Sequence, residues 1–74
     1  MSRICEDTFS GLRFDFSRVM RIDSIVKSGT DKPYYTVHYN DGTKEQVTAL
    51  SASDLTQSYY HVSQCWKHYE KWGY

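Results

Sequence analysis

Seventy-four residues carrying nine basic and nine acidic side chains describe one small domain of zero formal charge. That size leaves little volume for a deep catalytic pocket, and that balance argues against a dedicated phosphate-backbone binder, which needs a basic excess, and against a mimic of nucleic acid, which needs an acidic one. Aliphatic residues are scarce while Tyr, Trp and Phe make up 16% of the chain; each ring residue buries about 150–250 Å², more than so small a core can hide, so some rings are expected at contact surfaces.

The opening MSRICEDTFSG has no apolar signal-peptide core, and no stretch approaches a membrane span. The expectation is an intracellular protein, cytoplasmic or nuclear, not secreted and without a membrane partner, whose Cys5 and Cys65 are reduced. Met1 suggests a chain that stands alone as a single domain, 1–74. Residues 1–8 are polar and expected to fray. From Ser10 the pattern becomes period two: Leu12, Phe14 and Phe16 share one face, Arg13 and Asp15 the other, as in a half-buried strand. Met20, Ile22 and Val26 alternate with Arg21 and Asp23 in a second strand, where Ile25 breaks the pattern and hints at a bulge. KSGTDKP is a loop, because Gly29 permits positive φ and Pro33 disfavours helix at Lys32.

Tyr35, Val37 and Tyr39 then alternate with Tyr34, Thr36 and His38. The Asp41-Gly42 pair in NDGT predicts a type I′ hairpin turn, and TKEQVTA returns with Glu45 and Val47 on one face. Ser51 followed by Asp54 resembles a capping box. Beyond it Leu55, Tyr59, Val62, Trp66 and Tyr69 recur at helical spacing opposite Gln57, Tyr60, Gln64, Lys67 and Lys71, which predicts an amphipathic helix over 54–72 ended near Gly73. The fold class expected is therefore mainly β with a C-terminal helix: a small antiparallel barrel or strongly twisted sheet of four to five strands across 10–50, capped by an aromatic helix.

The run YTVHYNDGTKEQV resembles the central hairpin of Tudor-type domains in the SH3-like barrel superfamily, with RVMRIDSIV similar to their second strand and SASDL to their short terminal 3₁₀ turn; the likeness covers 12–55 and leaves the helix unmatched. Tudor domains that read methylated lysine or arginine hold the cation with ring faces and an acid. The resemblance places Tyr39 at a cage ring, Asp41 at the cage acid, Phe16 near a second ring and Phe9 as a further candidate. Thr43 stands where cage-forming members often have an aromatic, so the implied cage is partial.

His61, Cys65 and His68 share one narrow face of the predicted helix, with zinc-preferred donor atoms and Cys5 as a conceivable fourth ligand. No C-x₂₋₄-C or H-x₃₋₅-H pair accompanies them, so no metal or other cofactor is expected. A Cys65–His61 or Cys65–His68 nucleophile lacks any evident oxyanion donor, and no Gly-rich phosphate loop exists; an enzyme with a small-molecule substrate is not expected. Tyr34 and His38, with Arg13 and Arg21, could form a stacking platform for single-stranded nucleic acid. Tyr60, Trp72 and Tyr74 offer a surface on the helix, for a protein partner or a second copy of the chain. The reading that joins these is a non-enzymatic module binding a protein or peptide through Phe16, Tyr34, Tyr39 and Asp41, as an accessory subunit or a phage-type inhibitor.

Overall fold

The computed structural model describes residues 3–27 and 32–73; the turn role read for Gly29 and the contact role read for Tyr74 lie outside them. Five strands, a 3₁₀ turn and a helix follow in order: β1 Ile4–Asp7, β2 Leu12–Asp15, the 3₁₀ turn Phe16–Arg18, β3 Val19–Ile22, β4 Tyr35–Tyr39, β5 Lys44–Val47 and α1 Ala52–Trp72. They form two antiparallel sheets, a β1–β2 hairpin and a β3–β4–β5 meander. Among the described residues no strand pairing joins the two into a closed barrel. None of the helices described is long and apolar enough to cross a membrane.

The segment expected to fray is β1. It pairs with β2 in the register Cys5↔Phe14 and Asp7↔Leu12, and it turns Cys5 and Asp7 inward while Glu6 stays exposed. A buried carboxylate needs hydrogen-bond donors, and Asp7, only 2% exposed, has several. The Phe9 and Ser10 amides donate to it at 3.4 and 3.1 Å, and so do the Ser10 and Ser58 hydroxyls. The β1–β2 turn is thus wrapped around a side chain that also reaches the helix.

The alternation Leu12, Phe14, Phe16 does not extend one strand. Asp15 accepts from the Ser17 amide at 3.0 Å and from its hydroxyl at 2.6 Å, the local competition by which a short acidic side chain draws backbone out of a strand. The chain turns there and Phe16 enters the core from the turn, 1% exposed. In β3 the pairing runs Val19↔Tyr39 and then Arg21↔His38, so Met20 is an extra residue on one side of the ladder. The bulge therefore sits at Met20, not near Ile25, and it turns Met20 outward: Val19 is buried and Ile22 packs on the core as expected, while Met20 is 52% exposed, and beyond the strand Val26 is 44% exposed.

β4 and β5 pair as the sequence pattern predicts, and Tyr35, Val37 and Val47 are sealed. Their turn differs from the expected type I′. The Gly42 amide donates to the Tyr39 carbonyl at 3.2 Å and the Tyr39 amide to the Thr43 carbonyl at 2.9 Å. Asn40 and Asp41 keep negative φ while Gly42 takes φ +89°. That is a three-residue loop, a type I turn followed by a left-handed glycine. SASDL opens α1 rather than forming a 3₁₀ turn: the Ser51 hydroxyl accepts from the Asp54 amide at 3.1 Å. At the other end Gly73, at φ +79°, closes the helix on the Tyr69 carbonyl.

The face α1 buries is broader than the predicted stripe. Leu55 and Val62 are sealed as expected, and Ser58 and Cys65 are buried beside them. Tyr59 meets Tyr35 edge-on at 5.2 Å, and Trp66 and Tyr69 cover Phe16 at 5.5 and 5.8 Å. Because Cys5 and Asp7 belong to one sheet and Tyr35 to the other, α1 supplies the shared layer that lets two sheets too small to bury themselves form one core.

Candidate functional site

The patch expected around the hairpin turn is only partly assembled. Phe16 is not a contact residue: it is buried beneath Trp66 and Tyr69, so it can offer no ring face to a ligand. Tyr39 and Asp41 do come together, through a residue the sequence reading had not placed there. The Arg18 guanidinium lies over the Tyr39 ring at 5.7 Å and reaches the Asp41 carboxylate at 3.3 Å. A ring face plus an acid is the chemistry that holds an organic cation, and here the chain's own arginine already occupies it. The Tyr39 hydroxyl donates to Glu45 at 3.0 Å, and burial together with that bond pushes its phenol up to about 12. Asp41 is held below the usual carboxylate range, first by the Thr43 hydroxyl and amide and then by Arg18. Thr43, the departure from the cage pattern, acts here as a donor that fixes the acid.

The nucleic-acid platform is likewise internally matched. Arg21 and His38 are cross-strand neighbours, and both engage Asp23, at 3.3 and 2.7 Å. The bond from His38 is the main reason the Asp23 carboxyl lies below its ordinary value. Tyr34 is half-buried on the same side of β4, in an isolated bridge with Val26. Arg13 lies in the other sheet, 3.8 Å from Glu6.

A broad concave surface lies elsewhere. A groove of about 710 Å³ runs along the outer side of α1, bounded by Phe9 from the β1–β2 turn and by Tyr60, His61, Lys67, His68 and Trp72 among others from the helix. Its rings are open: Tyr60 is 65%, Trp72 55% and Phe9 41% exposed. The Lys71 ammonium lies 5.2 Å from the Trp72 ring centre. Among the described residues no carboxylate lines the groove, whereas Lys67 and Lys71 both do. No family model, curated protein or solved structure matched this chain. The Tudor likeness therefore rests on the hairpin residues alone, and function has to be argued from the surface itself.

At the floor of the groove the thiols and imidazoles are sorted by the fold. Cys5, His61 and Cys65 offer donor atoms that all lie within 4.8 Å of one another. The Cys5 Sγ and His61 Nε2 atoms are 3.9 Å apart. Both cysteines are free and buried; burial, followed by the neighbouring Cys65 thiol and Asp7, pushes the Cys5 thiol up to about 12. His68 is not part of the group; its ring packs 6.4 Å from that of Trp72. Helical spacing had placed His61 and Cys65 together, but the inclusion of Cys5 depends on β1, whose strand character the polar opening concealed.

Proposed function

We propose that the protein is a small non-enzymatic binding module that holds an acidic, aromatic- or aliphatic-anchored peptide segment of a partner protein along the outer groove of α1. The observation that carries this reading is the groove's composition: three exposed rings beside two lysines, with no acid among its described lining residues. Between Gln57 and Trp72 it extends about 22 Å at 1.5 Å per residue, long enough for a short extended or helical segment. Open Tyr and Trp side chains give contact area at low rotamer cost, and the lysines select an acidic segment and steer its approach.

The hairpin patch takes a lesser part, because Arg18 already neutralises Asp41 and covers Tyr39. The same satisfaction weakens the methyl-lysine or methyl-arginine reading and, through Glu6 and Asp23, the single-stranded nucleic-acid reading. An SH3-like, Tudor-like frame remains part of the proposal. Five short antiparallel strands and the β4–β5 hairpin support it, with α1 packed on both sheets where a barrel would close on itself.

The test is a titration of the intact chain with a labelled peptide alternating Glu with Leu and Phe, followed by Trp emission and backbone amide shifts. Shifts clustered on 57–72, weakened several-fold in Tyr60→Ala and Lys71→Glu with helix content unchanged, support the groove. Shifts centred on Tyr34, His38 and Arg21, or tighter and steeply salt-dependent binding of single-stranded DNA, would replace it with the nucleic-acid reading. Dimerisation of the free chain abolished by Trp72→Ala would make a second copy the occupant and overturn the proposal.

A further inference from the structure

The seam between β1 and α1 brings two thiols and an imidazole to one point, and nothing in the packing requires that chemistry. Core filling alone would be served by alanine or valine. His61 lies on the outer side of the helix, yet its Nε2 atom is directed at the buried Cys5 sulfur. The i, i+4 spacing sets His61 and Cys65 on one face of α1, and the Cys5↔Phe14 register fixes Cys5 opposite them on β1. The ligands therefore come from two separate elements, as a site that ties a fold together demands.

We propose that Cys5, His61 and Cys65 form a binding site for a thiophilic divalent cation of the zinc class, clamping β1 to α1. At bond lengths of about 2.3 Å to sulfur and 2.0–2.1 Å to nitrogen, tetrahedral geometry separates a sulfur and a nitrogen ligand by about 3.5 Å. The Cys5–His61 distance of 3.9 Å is within a small side-chain adjustment of that value. Both cysteines bind as thiolates and release their protons to solvent, and the imidazole binds through Nε2. Three protein ligands leave one coordination position for water. Since His61 and Cys65 also line the groove, that position opens toward it.

The test uses the full chain under reducing conditions, titrated with Co²⁺ as an optical probe and then with Zn²⁺. One equivalent of Co²⁺ should give an intense thiolate-to-metal band, displaced by one equivalent of Zn²⁺. Saturating Zn²⁺ should raise Tm by about 10 °C or more. His61→Ala, a change at an exposed position, should weaken binding at least tenfold with helix content intact, and Cys5→Ser should abolish the band. Absence of a one-equivalent band in the wild type would overturn the proposal. So would a band of undiminished strength in either variant, or a Tm indifferent to Zn²⁺. Should Cys5→Ser fail to fold, the wild-type stoichiometry and the His61→Ala comparison decide the matter.

Discussion

Ser58→Ala removes one oxygen from the centre of the molecule, and its cost can be worked from what that oxygen touches. Ser58 is sealed, and its hydroxyl donates to the Asp7 carboxylate. A carboxylate can only accept, so the Tyr35 hydroxyl, 2.8 Å away, must be the donor in its own bond to Ser58. The substitution leaves a fully buried phenol with no partner, at about 1–3 kcal/mol, and takes one of the charge-assisted bonds from Asp7, at about 1.5–3 kcal/mol. Against this stands a gain of about 0.5 kcal/mol from alanine's better helix propensity. A net loss of about 2–5.5 kcal/mol follows, large for a chain of this length, whose whole stability is about 4–11 kcal/mol. Urea unfolding followed by helix circular dichroism measures it directly. The diagnostic is a double-mutant cycle with Tyr35→Phe: in the Ser58→Ala background that second change removes an orphaned hydroxyl, so it should cost nothing or restore stability. A Ser58→Ala loss under 0.5 kcal/mol, or strict additivity in the cycle, would falsify the view that this network ties β1, β4 and α1 together.

Two further outcomes are expected. Gly42→Ala should cost about 1–2 kcal/mol in the same unfolding assay, because an L side chain resists φ +89°; a Cβ there would meet no atom within 4 Å, so D-alanine at this position should leave stability unchanged. Stability should also decline from about pH 9 upward, first through Cys5, whose thiol folding raises to about 12, and from about pH 10 through the tyrosines. Folding raises the Tyr39 phenol to about 12 and the Tyr35 phenol further still, chiefly by burial. The unfolded chain then binds fewer protons than the folded one above pH 10, so the tyrosine contribution is complete below that pH and is lost as alkali ionises unfolded tyrosine. An unfolding midpoint constant to pH 12, or an equal decline in Tyr35→Phe, would contradict this.

The elements visible in the sequence are those whose signals are local. Period-two alternation and an Asp-Gly turn sufficed for β4 and β5. A serine three residues before an acid, followed by a 3–4 stripe, sufficed for α1, and Gly73 marked its end. What escaped was written in distant partners or in single-residue offsets. Asp7 reads as a surface acid until Ser58, 51 positions later, is seen to donate to it. The alternation through Phe16 was real, but Asp15 bent the backbone before the strand could continue, so an expected contact ring became a core ring. One extra residue at Met20 turned that side chain out of the core, while Ile22 kept its expected facing. The type I′ expectation failed because Asp41 keeps negative φ and Gly42 alone supplies the left-handed turn. Cys5 could be named beside Cys65 and His61 only as a conceivable ligand, since its placement there depends on β1, which pairs with β2 and meets α1 through Asp7 and Ser58.

The same logic explains why the surplus rings lie on the helix and not at the hairpin. Phe16 has Trp66 and Tyr69 over it, and Tyr39 has Arg18 on its face and Glu45 at its hydroxyl. A ring so covered gains little from a partner, because most of its desolvation and polar pairing is already complete. Tyr60 and Phe9 are exposed, Trp72 stays 55% exposed although Lys71 lies over its ring, and all three line a groove whose nearby charges are positive, so an acidic, apolar segment would still gain from covering them. The donor cluster lies beneath this surface, at the seam where β1 meets the helix. With total stability of only about 4–11 kcal/mol, a ligand spanning this seam at about 100 times its Kd would stabilise the fold by about 2.7 kcal/mol, a sizeable fraction of the whole. In so small a protein, a ligand held by both α1 and β1 would therefore also hold β1 in place.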